Sequence, residues 1–298
     1  MNYQGGTVFS HIDAVLKNHS FYNDFRINAV CSETYASKLL ASKQALVDQG
    51  VAEADVHFSA RFPRNEQAFV AQILSDLKQN NILPNDRYSS EAFAEYEKII
   101  KQQYIHDSYA TYIYPEEEQL LYALCAIAKP KRVAFLGAYY GYWAAWALPH
   151  IQDNGGSAYL LDVDQDVVDL AARNIRKLGF EGCARAIKQD AIEFMQNTDD
   201  QFDMLVIDAE CDQSHPDPDF RGKAIYHPLL QAALPKLKQG GLVVCHNILL
   251  KNTTNDVYMD GVIQKNMREH RKFVPLVQTS LRKFIEYTST EGVGIGMK

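Results

Sequence analysis

Apolar residues recur along this chain at two spacings. Up to about residue 95 they return every three or four positions, the period of helices buried along one face. Thr7–Asn18, Asp24–Ala29, Ser32–Asp48, Gln67–Gln79 and Ser89–Gln103 read as such helices, with Ser32 as an N-cap, Gly50 as a stop and Pro84-Asn-Asp as a turn. Further on, short apolar runs alternate with helical stretches. Val133–Leu136, Ser157–Leu161, Ala184–Lys188, Asp203–Asp208 and Leu242–Cys245 read as buried strands. Between and around them, Glu116–Ala128, Gln165–Leu178, Ala191–Gln196, Pro228–Leu237 and Val262–Glu269 read as helices. Asn252–Asp260 reads as a polar loop, and Leu281–Thr288 and Val293–Met297 as two closing strands. This alternation predicts a doubly wound α/β domain over residues 96–298 behind a helical extension over residues 1–95.

Chemistry gathers after the first of these strands. Gly137 and Gly141 bracket a tight turn that leads into a helix start at Tyr142–Ala147, leaving free backbone N–H groups where an anion is welcome. Asp162 follows the second strand, twenty-five residues past Gly137, near where a Rossmann-type unit places its ribose-binding carboxylate. Asp162 and its neighbour Asp164 otherwise read as solvated strand-end acids. Asp190 follows the third strand, as an N-cap for Ala191–Gln196, an acceptor for an adenine amino group, or both. Tyr104, Tyr109, Tyr112 and Tyr114 crowd into eleven residues. Alternating Tyr112 and Tyr114 fit an extended segment over a ligand, or ordinary half-buried aromatics.

A net charge of −7 argues against a nucleic-acid or anionic-membrane partner. Five widely spaced cysteines without zinc or redox spacing predict reduced thiols and a cytoplasmic protein. No stretch reaches transmembrane length, and the first residues lack the pattern of a secretory leader.

The turn Gly137-Ala-Tyr-Tyr-Gly-Tyr resembles the Gly-Ala-Tyr-Cys-Gly-Tyr turn of catechol O-methyltransferase. From about Tyr114 to the C-terminus, the order of parts resembles the catechol and caffeoyl-CoA O-methyltransferase family of class I enzymes that use S-adenosylmethionine (SAM). Pro115-Glu-Glu-Glu-Gln-Leu-Leu is similar to the helix before that family's first strand, and Phe202-Asp-Met-Leu-Val-Ile-Asp-Ala to its fourth strand. Gly240-Gly-Leu-Val-Val-Cys-His-Asn is similar to its Gly-Gly…Asp-Asn strand, and Glu291-Gly-Val-Gly-Ile-Gly-Met-Lys to its last. The resemblance implies a seven-stranded, mostly parallel Rossmann-like sheet with an antiparallel final hairpin. It implies SAM as cofactor, held by Gly137, Ala138, Tyr139, Gly141, Tyr142, Trp143, Asp162, Asp190, Ala191 and Asp208. It also implies methyl transfer to a small-molecule hydroxyl, with Glu286 as a substrate contact.

Three departures bear on mechanism. Phe135 stands where the family has a glutamate for the cofactor's methionine end, and Cys211 stands at its catalytic lysine. The family's Mg²⁺ ligands fall on Asp208, His246 and Asn247, so the middle carboxylate has become an imidazole, which suits softer metals better. His246 is thus a ligand of a divalent metal, a general base with no metal, or a satisfied strand-end histidine. N- or C-methylation, a non-catalytic SAM-binding protein and an NAD-dependent oxidoreductase are the alternatives. The helical extension is expected to serve as lid, acceptor pocket or homodimer contact.

Overall fold

The computed structural model describes residue 3 and residues 5–298. Two short strands, β1 (Gly6–Thr7) and β2 (Ala110–Thr111), pair in parallel away from the main sheet. The main sheet has seven strands: β3 (Arg132–Leu136), β4 (Ser157–Asp162), β5 (Ala184–Lys188), β6 (Phe202–Ile207), β7 (Leu237–Cys245), β8 (Lys283–Tyr287) and β9 (Val293–Met297). Their spatial order is β5-β4-β3-β6-β7-β9-β8, parallel from β5 to β7, with β9 antiparallel to both β7 and β8. The doubly wound, mostly parallel sheet expected from the sequence is therefore present, antiparallel hairpin included. The chain leaves β3 for β4 on one side and returns to β6 on the other. A crevice opens beyond the carboxyl end of β3 at such a switch point.

Successive residues of the central strands serve opposite faces, as the two-residue period of a strand requires. Val133, Phe135, Met204 and Val206 join the core on one side, and Ala134, Leu136, Leu205 and Ile207 the core on the other. The helices Gln165–Lys177 and Pro115–Ala128 pack into the first of these cores, while Tyr226–Ala233 and Phe273–Ser280 pack into the second.

The helical lead-in has two parts. Residues from Val8 to Phe62 bury a core of their own, including Ile12, Phe25, Tyr35, Leu39 and Val56, and Tyr114 is the point at which the later chain enters it. The helices Glu66–Gln79 and Ser90–Gln103 instead contribute Val70, Leu74, Leu77, Phe93 and Ile100 to the core of the large sheet. Residue 95 lies inside the second of these helices.

Several elements differ from their sequence-based outlines. Ser32 is the first helical residue and Cys31 occupies the cap position without a side-chain bond. The helix from Ser32 stops at Ala41 and restarts at Lys43, because Ser42 turns its Oγ back onto the Lys38 carbonyl at 2.9 Å. The Asp24–Ala29 segment is helical only as part of Ser20–Arg26. Glu53–Ser59 is a further helix that a periodicity count misses, because three of its four buried residues, Asp55, His57 and Ser59, are polar and only Val56 is apolar. Pro228–Leu237 is not one helix: it ends at Ala233, and Gly240 and Gly241 lie within β7. There the Gly240 N–H donates to the Lys298 carbonyl at 2.9 Å, and a Cβ on Gly241 would come within 2.6 Å of Leu237. The loop at Asn252–Asp260 gives way to helix at Val257, where Asp256 caps by accepting the Tyr258 N–H. None of the helices among the described residues is long and apolar enough to cross a membrane.

Candidate active site

A cavity of about 630 Å³ lies across the carboxyl ends of β3 to β7. That volume falls in the range of roughly 300–1,000 Å³ found for small-molecule sites. One end is lined by Gly137, Tyr139, Asp162, Asp164, Gln189, Asp190 and Ala191. The other is lined by Asp208, Glu210, Lys223, His246, Asn247 and Glu291, and Ala110 to Ile113 close one side.

The glycine turn is shaped by contact. Gly137 has a φ of +82°, and a Cβ there would stand 2.4 Å from the Ala209 Cα, so only glycine lets β3 and the segment after β6 pass. Tyr139 also takes a left-handed conformation, and its N–H donates to Asp162 Oδ2 at 2.8 Å. The Asp164 N–H donates to the other oxygen at 3.2 Å, so Asp162 is oriented by two backbone donors and keeps further lone pairs for the cavity. The helix expected at Tyr142–Ala147 is only the four residues Tyr142–Ala145, so the turn itself, not a long helix end, defines this corner. Asp190 is an N-cap, accepting the Glu193 N–H at 2.9 Å, and it also lines the cavity.

Other expected site residues lie behind the cavity wall. Tyr142 is buried and its hydroxyl donates to Glu118 at 2.7 Å, while the Trp143 indole N–H donates to the Glu117 carbonyl at 3.1 Å. Gly141, the cap before them, packs beside Leu160 and Ala171, and Ala138 lies against the core. Phe135 is buried in the core of the sheet. Glu286 is in β8, paired opposite Gly294, and is not among the lining residues. Of the crowded tyrosines, Tyr112 lines the cavity half-exposed, whereas Tyr114 is fully buried with its hydroxyl unpaired.

Asp208, His246 and Asn247 come together at the ends of β6 and β7, where the Ile207 carbonyl accepts the His246 N–H at 3.0 Å. Their partners change the chemistry expected of them. The His246 ring is buried between two carboxylates, with Nε2 2.9 Å from Glu117 Oε2 and Nδ1 3.4 Å from Asp208 Oδ1. Burial alone would discharge the ring, but Glu117 and Asp208 outweigh it and raise its pKa well above the usual histidine value. An imidazolium donates from both nitrogens and has no lone pair for a metal or for a proton. Asn247 turns its amide nitrogen to Glu291 at 3.2 Å.

Lys223 was not among the residues that the sequence singles out. Its Nζ lies 3.2 Å from Asp208 Oδ1 and 3.8 Å from Glu210 Oε2. The chain leaves β6 through Asp208, makes an excursion, and is closed by Cys211 and Gly222, whose backbone N–H and carbonyl groups bond reciprocally at 3.2 and 3.0 Å. Gly222 suits that place because its φ of +55° is one that other residues rarely adopt. Glu269 then accepts the Lys223 N–H at 2.9 Å. A lysine is thus absent from position 211 but is delivered one residue after the strand partner of Cys211. Burial works to raise the Asp208 carboxyl, and Lys223 and His246 overcome it, holding Asp208 below the usual carboxylate range.

The residues present do not fit a hard divalent ion. Asp208 already faces the Lys223 ammonium at 3.2 Å, and a dication would stand against it. Among the described residues, no group of three or more His, Cys, Asp and Glu side chains is arranged to hold a metal ion.

Behind this cluster lies a layer of buried acids. Glu116, Glu117 and Glu118 open the Pro115–Ala128 helix and are almost inaccessible. Glu117 accepts the Ser289 hydroxyl at 2.6 Å and caps its own helix by accepting the Tyr114 N–H at 3.0 Å. Glu116 accepts the Thr290 N–H and hydroxyl at 2.9 and 2.6 Å. Desolvation lifts Glu116 and Glu118 to about 8 and Glu291 to about 7.

The sheet order, the glycine turn at the switch point and the acids at successive strand ends define an α/β fold of the class I methyltransferase type. Residues 134–248 match a family model described as a methyltransferase domain. A Staphylococcus aureus structure assigned as a caffeoyl-CoA O-methyltransferase matches with 20% identity and a TM-score of 0.50, covering 76% of this chain and 98% of that one. A methyltransferase from Podospora anserina, solved with S-adenosylhomocysteine bound, matches with 15% identity and a TM-score of 0.51, covering 76% and 95%. At these identities the likeness is one of fold. No curated protein matches the chain.

Proposed function

We propose that this chain is a SAM-dependent methyltransferase acting on a hydroxyl, phenolic in character, of a small molecule. The observation that supports this best is a single cavity joining the Asp162–Asp190 end to the Asp208–Lys223–His246 end. In this reading Asp162 accepts the ribose hydroxyls, and Asp190 with Ala191 meets the adenine. The Gly137–Gly141 turn sets how closely the cofactor approaches, and buried Tyr142 and Trp143 support that turn from behind.

SAM supplies an electrophilic methyl: the acceptor oxygen forms a bond to its carbon as the sulfur–carbon bond breaks and leaves its electron pair on sulfur. The chain's residues hold that oxygen in line, where positioning provides much of the rate. A phenol with a pKa near ~10 must lose its proton at neutral pH. Positive charge beside Asp208 favours the oxyanion, so the proton is released to solvent. Asp208, held below the usual carboxylate range, orients that charge and is too weak a base to take the proton itself. Thr111, Tyr112 and Ile113 cover the acceptor, and the extension over residues 1–95 buttresses them as a lid.

Calorimetry with S-adenosylhomocysteine, SAM and NAD tests the first step. Saturable binding of the two adenosyl ligands is expected; binding of NAD alone would overturn the reading. Turnover of a panel of phenols, with mass spectrometry of the products, then identifies the acceptor atom.

A further inference from the structure

The cation at the acceptor end of the cavity is part of the polypeptide. We propose that Lys223 takes the place of a divalent metal beside Asp208, making this a metal-independent cationic centre whose ammonium N–H groups meet an electron-rich acceptor oxygen. This rests on the methyltransferase reading for its purpose but not for its geometry.

Four observations converge on it. The Lys223 ammonium is 3.2 Å from Asp208 Oδ1, within reach of a second carboxylate at Glu210, and its side chain is only 11% exposed. The residue lines the cavity, so the ammonium is not merely a surface charge resting on an acid. Its placement is built rather than incidental: the Cys211–Gly222 bridge, a left-handed glycine and the Glu269 bond to its N–H fix where the side chain starts, and the Tyr226 ring packs 5.6 Å from the charge. Finally, His246 and Asn247 turn their side-chain nitrogens toward carboxylates, to Glu117 and Asp208 and to Glu291 respectively. Asn247 keeps its amide oxygen, but Asp208 is the one carboxylate of the expected trio, and its counter-charge is already supplied. A dication on Asp208 would stand against the ammonium already held there.

Titration with Mn²⁺, followed by electron paramagnetic resonance, tests this on the full chain with and without S-adenosylhomocysteine. The wild type is expected to show no saturable Mn²⁺ binding up to about 1 mM. Lys223→Met, which keeps the packed stem and removes the charge, is expected to bind Mn²⁺ at least about tenfold more tightly. Saturable wild-type binding that Asp208→Asn abolishes would overturn the proposal, and so would a Lys223→Met protein with no gain. Calorimetry with S-adenosylhomocysteine on the same samples reports that the variant is folded. If the wild type failed to bind that ligand, the methyltransferase reading would fall while the Mn²⁺ result still decided the identity of the cation.

Discussion

The carboxylate of Asp162 holds the backbone of Tyr139 at 2.8 Å, across the gap between β4 and the turn after β3. The acid offered to a ribose is therefore also the clamp on the glycine turn. Asp162→Asn keeps an oxygen for the Tyr139 N–H, gives up the longer bond from the Asp164 N–H and loses the charge. The turn should therefore hold through its Tyr139 bond while ligand hydroxyls lose a charged acceptor. A hydrogen bond to a charged group is worth about 1.5–3 kcal/mol. S-adenosylhomocysteine affinity is expected to fall roughly 10- to 100-fold by calorimetry, with the unfolding midpoint little changed. Unaltered affinity would remove Asp162 from the ligand site.

Much of this arrangement is legible in the letters, for a physical reason. Gly137, Asp162, Asp190, Asp208 and His246 all sit at or just beyond the ends of apolar strands, so finding the strands locates them. Lys223 is invisible to that reasoning because a backbone bridge closing an irregular excursion brings it back. Glu117 is equally hidden. An acid in the first turn of a helix is the ordinary pattern of an exposed N-terminus, and nothing local says that Ser289, Glu291 and His246 close over it. Tyr142 and Trp143 fail in the other direction, since aromatic residues after a glycine turn stack on a ligand or pack beneath it, and only the register of the short helix decides.

The ion pair of His246 and Glu117 is fully buried at 2.9 Å, and removing one member strands the other charge. Such a loss costs about 3–5 kcal/mol, whereas replacing both members costs far less. His246→Gln should therefore lower the unfolding free energy by about that amount in urea titrations. The double variant Glu117→Gln/His246→Gln should recover most of it. Additive losses in the cycle would show that the two groups do not act as a pair.

Buried acids give the fold a pH dependence of known sign. Glu118 is raised to about 8 by desolvation, against an ordinary glutamate value near ~4.5, and Glu116 moves in the same direction. Between those values the folded chain holds protons that the unfolded chain has released, so stability falls as pH rises through this window. Glu118→Gln keeps a carbonyl acceptor for the Tyr142 hydroxyl and has no proton to lose. Relative to the wild type, the variant should gain about 1–3 kcal/mol between pH 5 and pH 8.5. Parallel stability curves for the two proteins would exclude Glu118 as a source of the slope.

Arg61 ties the first helical core to the far end of the chain. It lies in the segment that follows the Glu53–Ser59 helix, yet its guanidinium donates to the carbonyls of Ser289 and Thr290 at 3.0 and 3.1 Å and to the Thr253 hydroxyl at 3.0 Å. Those carbonyls belong to the turn between β8 and β9, and that turn also reaches Glu116 and Glu117. Arg61→Met keeps most of the apolar stem and removes every donor, leaving buried carbonyls unpaired at about 1–3 kcal/mol each. A loss of roughly 2–6 kcal/mol in unfolding free energy is expected for the two carbonyls together. The same variant should weaken acceptor binding more than S-adenosylhomocysteine binding, because Glu291 lines the acceptor end while Asp162 and Asp190 are untouched. Equal losses for both ligands would mean that the helical region steadies the whole domain and does not shape one end of its cavity.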